Sequence, residues 1–228
     1  MKEIKYNVVY SRRRSISIIV SPGINVTVRV PMRASLKTIE KFVQDKASWI
    51  RKHLNSKPGI RLADTEKKYT DGETHLFMGK EYLLRKTVSA TPYIRLCNNE
   101  IVAGQSNIDN SQKTRALLAR WYIQKAREIF DVMLEETLRR YADYGFSPSR
   151  LVVRSLKSRW GSCTSKGMIT LNSELIKLDR VLIEYVIIHE LCHLKYHNHG
   201  KDYYRLLGEL VPDYKSIRKE LKKYITHR

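Results

Sequence analysis

The sequence holds 228 residues, with 43 Lys and Arg against 23 Asp and Glu for a net charge of +20, and 42% of its residues are hydrophobic. That length suits one large domain or two small ones, and the apolar share is enough for a core. No run of about 18 apolar residues is present, so no membrane span is expected. The start, Met1-Lys-Glu-Ile-Lys-Tyr followed by Arg12-Arg13-Arg14, lacks the apolar stretch of a secretory leader.

Half of the charge excess lies at the N-terminal end, where residues 1–60 hold 13 basic and 3 acidic side chains. Such a footprint is compatible with contact to nucleic acid or polyphosphate, and equally with a solvated basic surface. No zinc finger, RRM signature or basic zipper accompanies it. Three cysteines, Cys97, Cys163 and Cys192, form no paired framework, which favours a reducing compartment and a cytoplasmic location.

The first elements read as strands. Ser15 to Val20 and Asn25 to Val30 are rich in β-branched residues and partly alternating, with a turn signal at Ser21-Pro22-Gly23. Ser35 opens a helix with apolar residues at Leu36, Ile39, Val43, Ile50 and Leu54, which Asn55 to Gly59 ends. Residues 60–70 are polar and read as a linker. Two hairpins follow: His75–Met78 with Glu81–Leu84 around Gly79-Lys80, and Tyr93–Cys97 with Glu100–Val102 around Asn98-Asn99. His75 stands alone and reads as a surface or strand histidine. Gly104 to Asn110 is a polar break and the expected domain boundary.

From Ser111 to about Tyr144 the pattern is helical, with a stripe at Leu118, Tyr122, Ala126, Ile129 and Met133 that Gly145 and Pro148 close. Leu151–Arg154 and Met168–Leu171 read as strands, with Lys157-Ser-Arg-Trp-Gly-Ser-Cys163 between them. Asp179 is placed to cap a helix that starts with Val181-Leu182-Ile183 and Tyr185-Val186-Ile187-Ile188. A helix apolar on nearly all sides belongs in a core.

That helix runs into His189-Glu-Leu-Cys-His-Leu-Lys-Tyr-His-Asn-His199, which holds four of the seven histidines. His189 and His193 are four apart and so share one helix face. With Glu190 beside them they form H-E-x-x-H, two nitrogen ligands plus a carboxylate general base of zinc hydrolases. A third ligand is needed. His197 continues the row, but three such residues span about 12 Å on a straight helix, too far to share an ion. Asn198 and Gly200 tolerate the left-handed conformation that ends helices, so a turn there would bring His199 back. His189, His193 and His199 are therefore the expected ligands, with His197 a spare. Cys192, between the ligands, should point away as a small buried hydrophobe.

Lys157-Ser-Arg-Trp-Gly-Ser-Cys163, Gly167-Met-Ile-Thr-Leu-Asn172, His189-Glu-Leu-Cys-His-Leu194 and Asn198-His199 together resemble the YgjP-like family of zinc metallopeptidases, relatives of the SprT-like and WLM-type minimal gluzincins. The resemblance is strongest over residues 150–210 and extends over most of the chain. It implies His189, His193 and His199 as ligands of one zinc ion per chain and Glu190 as catalytic base. This sequence has Gly200 where the family usually has Ser, and Tyr203-Tyr204 where it usually has Phe-Trp. The expected fold is α+β: a strand-rich region with one helix over 1–110, then a helical, zincin-like metal-binding catalytic domain over 111–228 with a small antiparallel or mixed sheet. The expected activity is hydrolysis of a peptide or protein substrate. Met168–Leu171 is the expected edge for that substrate, and Arg159, Tyr203 and Tyr204 are candidate oxyanion donors. Two alternatives use the same chain differently: a nucleoside-triphosphate (UTP-like) pyrophosphatase, or a nucleic-acid-associated protease or binding protein like SprT relatives.

Overall fold

The computed structural model of the chain describes residues 4–21, 25–54, 60–61 and 67–225. The Ser21-Pro22-Gly23 turn, the helix stop at Asn55–Gly59 and much of the 60–70 linker lie outside the described residues. The chain divides into two units, Met1–Gly59 and Ile60–Arg228.

In the first unit, β1 (Asn7–Ser11), β2 (Ser17–Ser21) and β3 (Asn25–Pro31) form a sheet of order β1-β3-β2, with β1 parallel and β2 antiparallel to the central strand. Val26, Val28 and Val30 alternate along β3 and point to one buried face. Two helices rather than one supply the partners, α1 (Leu36–Asp45) and α2 (Ala47–Leu54), broken at Lys46. Ser35 caps α1, its hydroxyl accepting from Thr38 N at 3.2 Å. Ile39, Val43 and Ile50 complete the core, while Leu36 of the expected stripe is 67% exposed.

The second unit opens with β4 (Ile60–Arg61) and a sheet of four strands, β5 (Thr74–Phe77), β6 (Lys80–Val88), β7 (Tyr93–Cys97) and β8 (Glu100–Gln105). Their order is β5-β6-β8-β7, with β6 and β8 parallel and each paired antiparallel to its hairpin partner. Both expected hairpins form. Met78 and Gly79 take φ of 50° and 75° at the first, and Asn98 takes 51° at the second. His75 lies on β5 and is buried, not at the surface.

The boundary expected at 110 falls inside this unit. Gln105 is fully buried, and its Nε2 donates to Asn107 O at 2.7 Å and Thr114 Oγ1 at 3.0 Å. These bonds tie the polar break to the helix after it. That helix, α3 (Ser111–Arg140), is capped by Asn110, whose side chain accepts from Lys113 N. It buries Leu118, Trp121, Tyr122, Ala126, Phe130 and Met133 against residues of β5, β6 and β8 in one shared core. Gly145 ends the segment at φ 59°.

Three more strands, β9 (Arg150–Arg154), β10 (Gly161–Cys163) and β11 (Met168–Asn172), form a mixed sheet of order β10-β11-β9. β11 is parallel to β9 and antiparallel to β10. A 3-10 turn over Ser173–Lys177 then leads to α4 (Arg180–Cys192), α5 (Lys201–Leu210), α6 (Tyr214–Leu221) and β12 (Tyr224–Ile225), which pairs parallel with β4.

The first hairpin positions α4. Met78 N donates to Ile176 O at 2.8 Å and Gly79 N to Lys177 O at 3.2 Å, so its turn is bonded to the segment that feeds the helix. A Cβ on Gly79 would come 1.9 Å from Asp179 Oδ1. Gly79→Ala combines that overlap with a left-handed backbone, so about 2–3 kcal/mol of stability should be lost. A melting curve should show the midpoint lower by about 5–10 °C; an unchanged midpoint would mean that the turn does not press on Asp179.

Candidate metal centre

Helix α4 is held by its own apolar surface. Leu182, Ile183, Tyr185, Val186, Ile187, Ile188, Leu191 and Cys192 are all buried, and Val181 alone of its apolar residues is exposed. Asp179 is the residue before the helix, but its side chain makes no capping bond. Its carbonyl accepts from Leu182 N and Ile183 N instead, while its carboxylate packs against Gly79.

The helix ends earlier than the sequence suggests, at Cys192 and not at Asn198–Gly200. His193 N, Leu194 N and Lys195 N each bond back three residues, to Glu190 O, Leu191 O and Cys192 O at 3.0–3.2 Å. Such short-range bonds tighten a last turn and swing the chain off the axis. Gly200 has φ −84° and precedes α5 in an extended conformation, so no left-handed stop is used there. His197 thereby leaves the row of His189 and His193. It is exposed, beside Lys195 and Lys166. His199 comes back over the helix.

His189, His193 and His199 converge, one nitrogen from each lying within 4.8 Å of the others. His189 Nε2 and His199 Nε2 are 3.3 Å apart. Outer partners select the tautomers. Tyr203 Oη lies 2.6 Å from His189 Nδ1 and 3.2 Å from the His189 carbonyl. The hydroxyl donates to the carbonyl and accepts from Nδ1–H. His193 Nδ1 lies 3.0 Å from Tyr196 O, an acceptor only, so this nitrogen carries the proton. Both rings then turn a bare Nε2 lone pair inward. Burial, with His193, His199 and Arg218 nearby, pushes His189 down to about 3. Burial, His193 and Arg218 lower His199 as well. Both shifts favour the neutral ring, the form that can ligate a metal.

A divalent ion does fit this donor set. For a tetrahedral zinc with Zn–N of about 2.0–2.1 Å, neighbouring ligand nitrogens lie about 3.3 Å apart, the separation between His189 and His199. Neutral imidazoles suit zinc and related transition metals.

Glu190 lies next to His189, buried, with Oε2 partnerless. Burial raises its carboxyl to about 8 against the opposing pull of Arg159, and a nearby dication would favour the charged form. Gly161 of β10 explains the Trp-Gly-Ser-Cys motif: a Cβ there would come 2.5 Å from Glu190 Oε1. Asn172, fully buried, pins the loop that carries Arg159 and Trp160. Its Nδ2 donates to Leu156 O and Arg159 O at 2.9 and 3.0 Å, and its Oδ1 accepts from Leu156 N at 3.3 Å. Cys192 is buried in the core, and burial with Glu190 nearby raises its thiol to about 12.

The edge strand is β10 and not Met168–Leu171, because β11 is central with both sides paired. Asn172 N donates to Trp160 O at 2.8 Å and Thr164 N to Met168 O at 3.0 Å. Antiparallel alternation then directs the backbone groups of Ser162 toward β11 and those of Gly161 and Cys163 outward. A cleft of about 440 Å³ opens beside His189 and Glu190, with Arg159, Trp160 and Gly161 on one wall and Tyr185, Arg218 and Lys222 on another. Of the three candidate oxyanion donors, Tyr203 is fully buried behind His189. Tyr204 accepts from Arg218 Nη1 at 3.4 Å, and Arg159 borders the cleft. The sequence reading missed Asn172, the β10 edge and Arg218. The motif segment that ends at Asn172, the motif glycine beside Trp160 and the basic terminal helix were their signals.

A family model described as YgjP-like, metallopeptidase domain, matches residues 14–224. Among solved structures, the chain is similar to the metallopeptidase zymogen of Pyrococcus abyssi abylysin at 26% identity, over 41% of this chain and 93% of that one, with a TM-score of 0.36. It is similar to the metallopeptidase zymogen of Methanocaldococcus jannaschii jannalysin at 21% identity, over 41% and 94%, with a TM-score of 0.36. A comparison with curated proteins finds no match.

Removing the Tyr203 hydroxyl tests the bracing of His189. Tyr203→Phe keeps the packed ring but frees Nδ1, so zinc affinity should fall about 10- to 100-fold. Competition against a fluorescent chelator measures this, and wild-type affinity in the variant would remove the hydroxyl from the site.

Proposed function

We propose, from the premise that the chain belongs to the YgjP-like metallopeptidase family, that His189, His193 and His199 hold one zinc ion and that Glu190 is the general base for peptide-bond hydrolysis. The observation that carries this reading is the convergence of His189, His193 and His199, one nitrogen from each within 4.8 Å of the others, beside a buried carboxylate whose Oε2 has no hydrogen-bond partner among the described residues. Zinc held by such a triad supplies Lewis acidity, polarising a carbonyl and making water nucleophilic near neutral pH.

The chain's own groups divide the remaining work. Glu190 Oε2 takes the proton of the attacking water, and the same carboxyl passes it to the leaving amine. Its rise from 4.5 to about 8 corresponds to roughly 5 kcal/mol against the charged form. A dication nearby would offset that cost and keep the carboxylate ionised, ready to accept the proton. Gly161 leaves space for the carboxylate, and the outward backbone groups of Gly161 and Cys163 offer an extended peptide a strand to pair with. Tyr203 and the Tyr196 carbonyl engage Nδ1 of His189 and His193 and leave Nε2 of each ring for the metal. Trp160 forms part of the wall that shields the reaction from water.

Glu190→Gln preserves volume and removes the base. The variant should bind zinc like wild type and lose about 10²-fold or more in peptide turnover, measured with a quenched fluorescent peptide on zinc-loaded protein. Wild-type turnover would exclude Glu190 from the proton transfers.

A further inference from the structure

Beyond the three histidines and Glu190, the charge around the cleft is one-sided. Glu190 is the only acid among its described lining residues, against Arg159, Arg218 and Lys222. A second depression shares Arg218 and Lys222 and adds Lys215 and Lys219, so the two adjoin. Lys215, Arg218, Lys219 and Lys222 follow the spacing of one helical face, and all four are exposed. Ile217 and Leu221 are the buried residues of α6, and Leu221 also lines the cleft.

Apart from Arg159, whose charge acts on Glu190, these cations are not paired with acids among the described residues. Glu220 pairs with Lys223, and Asp202 pairs with Arg205. Glu184, on α4, pairs with Arg140. Arg159, Lys215, Arg218, Lys219 and Lys222 have no ion pair among the described residues; Arg218 makes one contact, to the Tyr204 hydroxyl. Four like charges along so short a helix repel one another, a cost that an anionic ligand would relieve.

Resting on the peptidase reading above, we infer that this face of α6, with Arg159 opposite, recognises a carboxylate of the bound peptide. The carboxylate comes from an acidic side chain near the scissile bond or from the chain's free C-terminus. The placement favours a peptide over an extended polyanion. The stripe opens into a cleft with Trp160, Tyr185 and Leu221 in its walls, and that cleft ends on His189 and Glu190. A peptide paired along β10 would lay its side chains there. Arg218 is central, since it borders both depressions.

The test uses zinc-loaded Glu190→Gln protein, so that binding is read without hydrolysis. Fluorescence anisotropy compares peptides of one sequence carrying Glu, Gln or Lys on either side of the central bond, each as free acid and as C-terminal amide. Glu should bind roughly tenfold more tightly than Gln, as two or three solvent-screened charge contacts would give, and Lys more weakly. Added salt should shrink the difference. Adding Lys215→Glu, Lys219→Glu and Lys222→Glu should invert the preference, and the three Lys→Gln changes should abolish it. Zinc content and melting midpoint report that each variant is folded. A gain seen only with the free acid assigns the site to the C-terminus and supports the inference equally. Equal binding of every peptide overturns it, while cleavage of those peptides by wild type leaves the peptidase reading intact. Selective binding without wild-type cleavage keeps the carboxylate site and removes the peptidase reading. Single-stranded DNA that binds more tightly than the Glu peptide through the same lysines overturns it in favour of a nucleic-acid surface.

Discussion

Three imidazoles, His189, His193 and His199, bring one nitrogen each within 4.8 Å of the others, and the second unit is arranged to hold them so. Burial pushes His189 down to about 3 and so disfavours a cationic ring there. The force that keeps them together is apolar. Eight buried side chains of α4, at about 1.5–3 kcal/mol each as an upper estimate, fix the helix in the core. Tyr203 extends the same logic. Its ring lies 4.6–5.4 Å from all three histidine rings, and its hydroxyl fixes the tautomer of one.

The loop on the other side of the cleft is fixed by polar bonds, because it has little apolar surface to bury. Asn172 bonds to Leu156 and Arg159 with its side chain and to Trp160 with its backbone. A fully buried amide with both ends satisfied resists displacement, since losing a partner exposes the full desolvation cost. This pins Gly161 against Glu190 and leaves β10 as the unpaired edge. The first hairpin acts at a greater distance by bonding to the segment that delivers α4.

Much of this is readable in the amino-acid order, and the reason differs by element. H-E-x-x-H on an all-apolar helix announces itself because helical period and ligand spacing coincide. Both hairpin turns are visible through residues that tolerate positive φ, Gly79 and Asn98. The end of α4 is not, because three i to i−3 bonds after Glu190 carry no side-chain signature, whereas Asn198 and Gly200 carry a misleading one. The boundary at 110 misleads for a related reason: Gly104–Asn110 is polar, but Gln105 is buried and bonded within it. The sheet edge is a tertiary fact. Met168–Leu171 reads as a strand equally well at an edge or in the centre, and only the pairing of Gly161–Cys163 decides. His75 shows the same limit, a lone histidine whose burial is set by the pairing of β5 with β6 and the Tyr69 ring beside it and not by its own type.

The central claim is that three imidazoles converge on one metal ion, and metal content per chain tests it most directly. Wild-type protein and His199→Ala, both purified without chelators, would be measured by mass spectrometry. The account predicts about one zinc per wild-type chain and a clear loss in the variant, because His189 and His193 alone leave the site short of its third protein ligand. Metal-free wild type, or a variant that keeps its full zinc complement, would contradict it.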